Sequence, residues 1–236
     1  MNLKIRWKYC WLYNKVAKIE FLIIQNTIKI KDVLVQSKMG TTTKMTKYSL
    51  LKELNAIKVM SKSHKDKVSK LILNDETLFK SLIEIAFDYN DDTSIKAAQI
   101  LEVACEQRMD WIAYNLPYFT ENIAYLRNES AIRPAAKICN LIAQEVDSKF
   151  DSPIKVIVTK EQIEQMIETC FDWLVKDTKV ASKAHAMEAL YFLGNQMNWI
   201  HYELKLIIER DIDSESTAYS TRATKILEKL AKNNQA

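Results

Sequence analysis

Histidines are the first candidates for chemistry, because an imidazole can hold a metal ion or act as a general base. The chain has three, His64, His185 and His201, and none lies in the H-E-x-x-H spacing or in any other close ligand spacing. His201 and Glu203 are two residues apart, so they point to different faces of a helix. The sequence therefore assigns no metal ligand and favours satisfied or surface histidines over a general base.

Cysteines are the second candidates, because a thiolate is a strong nucleophile. Cys10, Cys105, Cys139 and Cys170 form no C-x-x-C pair, and the last three occupy apolar helical positions, which favours packing over Cys-His catalysis. With no secretory leader in the chain, we expect reduced thiols and a cytoplasmic protein. The predicted helical region has one glycine, Gly194, which nearly excludes a phosphate-binding loop. The sequence assigns no catalytic residue and no cofactor.

The best binding candidate is the segment 109–126, "MDWIAYNLPYFTENIAYL". Its aromatic residues form a line beside the apolar face of the predicted helix: Trp111, Tyr114, Tyr118 and Tyr125. An exposed aromatic row could hold a peptide, since these side chains combine a large contact area with a polar tip. The same row could pack against the next pair of helices, and we favour packing.

The elements that position these residues are predicted to be helices. Two glycines and three prolines interrupt 236 residues, fewer than sheets joined by tight turns require. Hydrophobic residues make up 48% of the chain, which is enough for one domain with a substantial core. We predict an all-α fold with nine or ten paired helices from Met45 onward.

Capping residues mark the predicted helix starts. These starts lie at 74–76, 90–92, 128–130, 159–162 and 213–216. Thr159 with Gln162 has the spacing of a capping box. Pro134 is expected in or near the first turn of its helix, where it does little damage. Pro117 is expected to kink or break the helix that contains it.

One helical pattern recurs along the chain. Residues 95–107 match residues 133–145 at a shift of 38, and further shifts of 51 and 37 reach two more helices. The excess in the second shift is assigned to an inserted loop, 148–160. Two-helix repeats of this length are typical of HEAT and armadillo arrays. We therefore predict an α-α superhelix, a HEAT/ARM-like solenoid of about four to five helical hairpins.

Charge divides the chain unevenly. Residues 1–44 hold nine basic and two acidic side chains, a net charge of +7, which leaves −3 for residues 45–236. We expect residues 1–44 to be a basic N-terminal extension outside the fold, with a true start at Met45 and a helical-repeat domain over 45–236. The alternative is a segment that lies on an anionic membrane surface. No transmembrane segment is predicted.

Four segments carry a resemblance to a known group of proteins: "IKAAQILEVACEQRMDWI", "AIRPAAKICNLI", "VTKEQIEQMIETCFDWL" and "HYELKLIIERDI". They resemble small bacterial HEAT-like helical proteins that often carry the label adenylosuccinate lyase. The resemblance spans about residues 45–236 and implies a helical-repeat fold. True adenylosuccinate lyases are similar to the fumarase superfamily and have a Gly-Ser-Ser-x-Met-Pro-x-Lys-x-Asn loop, to which this chain has no match. No catalytic residue is carried over from the resemblance.

Three functions remain from the sequence. The first is a non-catalytic scaffold that binds another protein or a peptide. The second is an enzyme of the lyase label, which would need convergent titratable groups in a cleft. The third is HEAT-type nucleic-acid binding, which the net charge of −3 disfavours because phosphate recognition requires a basic face.

Overall fold

The computed structural model describes residues 46–88 and 92–233, and within these ranges the chain is helical without a strand. The all-α prediction is confirmed. The predicted extension 1–44 and the start at Met45 lie outside the described residues and stay predictions. The helices are α1 (Lys47–Asn55), α2 (Lys62–Asn74), α3 (Thr77–Ala86), α4 (Thr93–Gln107), α5 (Asp110–Ala113), α6 (Leu116–Ile123), α7 (Glu129–Asp147), α8 (Pro153–Ile157), α9 (Lys160–Val175), α10 (Val180–Gly194), α11 (Asn198–Asp211) and α12 (Thr217–Asn233).

Side-chain caps begin several helices at the predicted residues. Thr159 and Gln162 form the expected capping box of α9. Asn128 caps α7, since its side-chain oxygen accepts a hydrogen bond of 2.9 Å from the Ser130 backbone N–H. The predicted start at Asn74 is two residues early, because Asn74 ends α2 and Glu76 is the N-cap residue of α3. The extended backbone of Asp75 separates α2 from α3.

Pro117 breaks its helix as predicted, whereas Pro134 and one short helix depart from the sequence prediction. Pro117 lies in the first turn of α6, and the helix predicted over 109–126 is broken just before it. Pro134 is not in the first turn of α7 but inside the helix, which continues through it. The predicted inserted loop 148–160 contains α8, in which Ser152 caps the helix and Ile154 is buried. This short helix escaped prediction because the segment is mostly polar around it.

The longer helices pack in two rows. In the first row, α4, α7, α10 and α12 each pack against the next member in chain order. In the second row, α3 packs against α4, and α9 and α11 pack against α10. Three contacts among the described residues join the second row. Phe87 at the end of α3 meets Phe119 of α6, α6 packs on α9, and Phe171 of α9 stacks on Trp199 of α11.

The core repeats with the same shifts as the sequence. Ala97, Ile100 and Ala104 of α4 are buried, and so are the residues that follow them at the shifts of 38 and 51. Those residues are Ala135, Ile138 and Ile142 of α7 and Ala186, Ala189 and Leu193 of α10. Of the polar positions, Glu106, Gln144 and Asn195 are exposed, whereas Glu102 and its counterpart Asn140 are both buried. Equivalent sequence positions therefore have equivalent environments.

Candidate binding surface on the second row

Trp111 belongs to the packing between helices rather than to an exposed row. It is only 4% exposed, and its ring meets Phe79 edge to face at 5.7 Å. The guanidinium of Arg108 covers the indole, with Cζ 4.4 Å from the ring centroid. Of the four predicted binding residues, Trp111 therefore follows the packing interpretation.

The three predicted tyrosines lie at the surface. Tyr114, Tyr118 and Tyr125 are all exposed, Tyr125 to 61%. Tyr118 is held in place by Phe87, whose ring it meets edge to face at 6.0 Å. Asn122 donates a hydrogen bond of 2.7 Å to the Tyr118 carbonyl oxygen in the same helix. The α5–α6 segment thus presents phenol rings from a rigid backbone.

A second group of exposed apolar residues lies on α11 and was not predicted. Trp199, Tyr202 and Leu206 are 53%, 64% and 45% exposed. Their spacings of three and four place them along one face of the helix, while Ile200, Leu204 and Ile208 are buried on the other. The sequence signal for this exposed face was the presence of two apolar lines on α11, because a helix at the surface of a domain normally has only one.

Helix α9 lies between these two groups. Phe171, which is half-buried, stacks on Trp199 with a centroid distance of 6.1 Å and an interplanar angle of 26°. Val175, one turn later on α9, is exposed. Since α9 also packs on α6, exposed apolar residues occur on three neighbouring helices. We call this set the second-row surface: Tyr114, Tyr118, Tyr125, Phe171, Val175, Trp199, Tyr202 and Leu206.

Acidic side chains share the helices of the second-row surface. Helix α9 contains four acidic residues and one lysine, a net charge of −3. Glu161, Glu164, Glu168 and Asp172 are all exposed and follow each other at spacings of three and four. At the N-terminus of α9, hydrogen bonds from its own backbone and from the Thr159 side chain lower the pKa of Glu161. The surface is therefore aromatic and negative.

The first row has a different character. None of the large hydrophobic residues exposed in the described chain belongs to α4, α7, α10 or α12. Its polar side chains join one helix to the next. Arg133 of α7 donates to both carboxylate oxygens of Glu102 on α4, at 3.0 and 2.5 Å. Asn140 of α7 donates to Glu188 of α10 at 2.7 Å. These polar groups are used within the fold.

Comparison with known proteins gives no family for this chain. The chain matches no protein-family model, no curated protein and no solved structure. The resemblance to HEAT-like proteins therefore stays an expectation from the sequence. Within the described residues, no helix is long and apolar enough to span a membrane.

The three histidines make contacts within the fold. His201 Nε2 donates a hydrogen bond of 2.7 Å to the Tyr191 carbonyl oxygen, and its ring stacks on that of Tyr191. His185 is partly buried, and burial together with the nearby Lys137 lowers its pKa. His64 is exposed and contacts Ser61 next to the start of α2. The residues described at 46–88 and 92–233 contain no group of three His, Cys, Asp or Glu that could hold a metal ion.

The three cysteines of the described region are buried, as predicted. Burial raises the pKa of Cys105, and the neighbouring charges of Glu106 and Glu102 raise it further. Burial and a hydrogen bond with Cys170 raise the pKa of Cys139. A thiol whose pKa is raised is protonated at neutral pH, and a buried one cannot be reached by a substrate. Cys10 lies outside the described residues.

One polar cavity of about 150 Å³ lies where α4, α7 and α10 meet. It is lined by Gln99, Glu129, Ser130, Arg133, Lys179, Ala181 and Ser182. Its acidic group is already engaged, because Glu129 accepts hydrogen bonds from the Lys179 backbone N–H and the Ser182 hydroxyl, both at 3.1 Å. Arg133 is bound to Glu102. The cavity is also smaller than the roughly 300 Å³ at which ligand pockets begin.

Proposed function

We propose that residues 46–233 act as a non-catalytic scaffold of the HEAT/armadillo type that binds another protein through the second-row surface. One observation carries this proposal. Seven of the eleven large hydrophobic side chains exposed in the described residues lie on α6, α9, α11 and the turns beside α6, whereas the first row exposes none. Exposed aromatic residues grouped on one side of a molecule are typical of protein-binding sites.

The row packing supports a solenoid. Each first-row helix contacts the next, and a second-row helix packs beside it. A repeat of this kind contacts mainly its sequence neighbours, so the two sides of the array remain available for a partner. The stiff Trp and Tyr side chains of the second-row surface would lose little conformational entropy on binding.

The electrostatics disfavour nucleic acid as the partner. The helices that carry the exposed aromatics also carry an acidic stripe, and α9 has a net charge of −3. Aromatic rings that stack on bases are normally accompanied by Lys and Arg for the phosphates. Positive charge is found instead on α12, with four basic residues and one acidic residue.

Affinity capture with matched variants tests the proposal. The tagged full chain, the triple variant Tyr118→Ala/Trp199→Ala/Tyr202→Ala and the control Tyr48→Ala are incubated with lysate of the source organism, and bound proteins are quantified by mass spectrometry. Tyr48 is 78% exposed but lies on α1, outside the second-row surface. Its substitution therefore controls for the loss of any exposed tyrosine. Circular dichroism checks that all three proteins fold.

The proposal expects a companion that the wild type and Tyr48→Ala recover equally and that the triple variant loses by about tenfold or more. Equal recovery by all three folded proteins would overturn the surface assignment. Recovery of no companion above a tag-only control would overturn the scaffold proposal itself.

A further inference from the structure

We infer that the second-row surface recognises a Lys- or Arg-rich protein segment that spans α6, α9 and α11. This inference rests on the proposed function and names the chemistry of its partner. The observation behind it is that an aromatic residue and a glutamate occur close together on each of three helices, α6, α9 and α11.

Each of the three helices has an aromatic ring one turn from a glutamate. On α6 the pair is Tyr118 and Glu121, on α9 it is Phe171 and Glu168, and on α11 it is Trp199 and Glu203. Residues three or four apart on a helix have Cβ atoms about 5–6 Å from each other. One cation can therefore contact the ring and the carboxylate of a pair at the same time.

The three glutamates are available for such a cation. Glu121, Glu168 and Glu203 are exposed, and none of them forms an ion pair with another described residue. The other acidic residues of α9 differ. Glu164 is paired with Lys160 at 3.3 Å and Asp172 with Lys176 at 2.5 Å. Lys160 and Lys176 are therefore engaged with Glu164 and Asp172, and the carboxylates of the three pairs keep their uncompensated negative charge.

The chemistry of an aromatic–carboxylate pair selects a basic side chain. The face of an aromatic ring attracts a cation within about 6 Å of its centroid, and a carboxylate adds a charge-assisted hydrogen bond. Arginine suits both contacts, since its planar guanidinium stacks on rings and binds carboxylates with two donors. An acidic segment or an anionic lipid surface would be repelled by the same glutamates.

The three pairs lie close enough for one segment to reach more than one of them. The rings of Phe171 and Trp199 stack with centroids 6.1 Å apart, and α6 packs on α9. A segment with several basic residues can therefore place cations on neighbouring pairs at the same time.

Labelled nine-residue peptides test the inference by fluorescence polarisation with the full chain at low salt. The first peptide has Arg at positions two, five and eight, with Ser and Val between. The second has the same composition with three adjacent Arg residues, and the third replaces each Arg of the first by Glu. The first and second peptides should both bind, because each supplies three cations to the aromatic–carboxylate pairs. The third should not bind.

Charge variants locate the binding. The triple variant Glu121→Gln/Glu168→Gln/Glu203→Gln should weaken binding of the first peptide by about tenfold or more. The control Glu228→Gln removes an exposed carboxylate of α12 and should change the affinity by less than about twofold. Matching thermal unfolding of the variants and the wild type shows that the fold is retained.

Several results would overturn the inference. These are binding of the glutamate peptide and no binding of either arginine peptide at about 1 mM protein. Stronger binding to phosphatidylserine vesicles than to the first peptide would also overturn it. A companion that is lost from the aromatic variant of the capture experiment but retained by the glutamine variant would leave the proposed function standing and contradict this inference alone.

Discussion

The imidazole of His201 occupies the space that a side chain at position 194 would need. A Cβ atom added to Gly194 would lie 2.0 Å from Cδ2 of His201 and 2.4 Å from its Nε2. These distances are far below van der Waals contact, so glycine at this position allows the end of α10 and the beginning of α11 to approach closely. The His201 hydrogen bond to the Tyr191 carbonyl oxygen fixes the ring there.

Gly194→Ala should lower the free energy of unfolding by about 1–3 kcal/mol, because the new methyl group forces the imidazole or the helices to move. Urea unfolding of the full chain measures the loss. The double variant Gly194→Ala/His201→Ala should lose less stability than the sum of the two single variants, since the clash is absent from it. Additive losses would contradict the proposed close approach.

The ion pair between α4 and α7 should contribute to stability because it is partly buried. The Glu102 side chain is 10% exposed and that of Arg133 is 36% exposed. Arg133→Met should cost about 2 kcal/mol, less than for a fully buried pair, since water still reaches one partner of the pair. Lys160→Met breaks an exposed pair, with 78% and 50% exposure, and should cost less than about 0.5 kcal/mol. Equal costs in urea unfolding would contradict the structural role of Arg133.

His185 should make stability depend on pH. Burial, Lys137 and Arg133 lower its folded-state pKa below 6.5, whereas Glu188 and Glu102 oppose this effect. As the pH falls below 6.5, the unfolded chain binds a proton that the folded chain does not, so this contribution to stability decreases. The free energy of unfolding should therefore fall less steeply between pH 7.5 and 5 in His185→Gln than in the wild type. Parallel pH profiles would show that His185 does not carry the effect.

The lyase label can be tested directly. We expect the purified full chain to show no cleavage of adenylosuccinate beside an authentic lyase as a positive control. The physical reason is that the cysteines are buried with raised pKa values, while the polar groups of the described cavity are bonded within the fold. Cleavage above background that copurifies with the chain would contradict the proposed absence of catalysis.

The sequence predicts the helices and their buried faces because both depend on local patterns. The capping box of Thr159 and the buried residues of α7 can be found from spacing alone. The same reasoning cannot place Trp111, because an aromatic line on a helix looks alike whether it faces solvent or Phe79. Trp199 was overlooked for the converse reason, since its exposure depends on which side of α11 meets α10. Both outcomes depend on packing between helices.

Bonds between helices could not be predicted either. Glu102 and Arg133 are 31 residues apart, and their contact depends on how far α4 is shifted along α7. The shift of 38 aligns Glu102 with Asn140 rather than with Arg133, so the repeat shows equivalent positions but not neighbouring ones. Similarly, the pattern of α9 reveals an acidic stripe, but only the packed helices show that it lies beside exposed aromatic rings.

Oxidative footprinting with the captured companion tests the central claim most directly. Hydroxyl radicals oxidise exposed aromatic side chains, and mass spectrometry measures the oxidation of each residue with and without the companion. We expect Tyr118, Trp199 and Tyr202 to be protected in the complex, while Tyr48 on α1 is oxidised to the same extent in both samples. Protection of Tyr48 without protection of Trp199 and Tyr202 would contradict binding through the second-row surface.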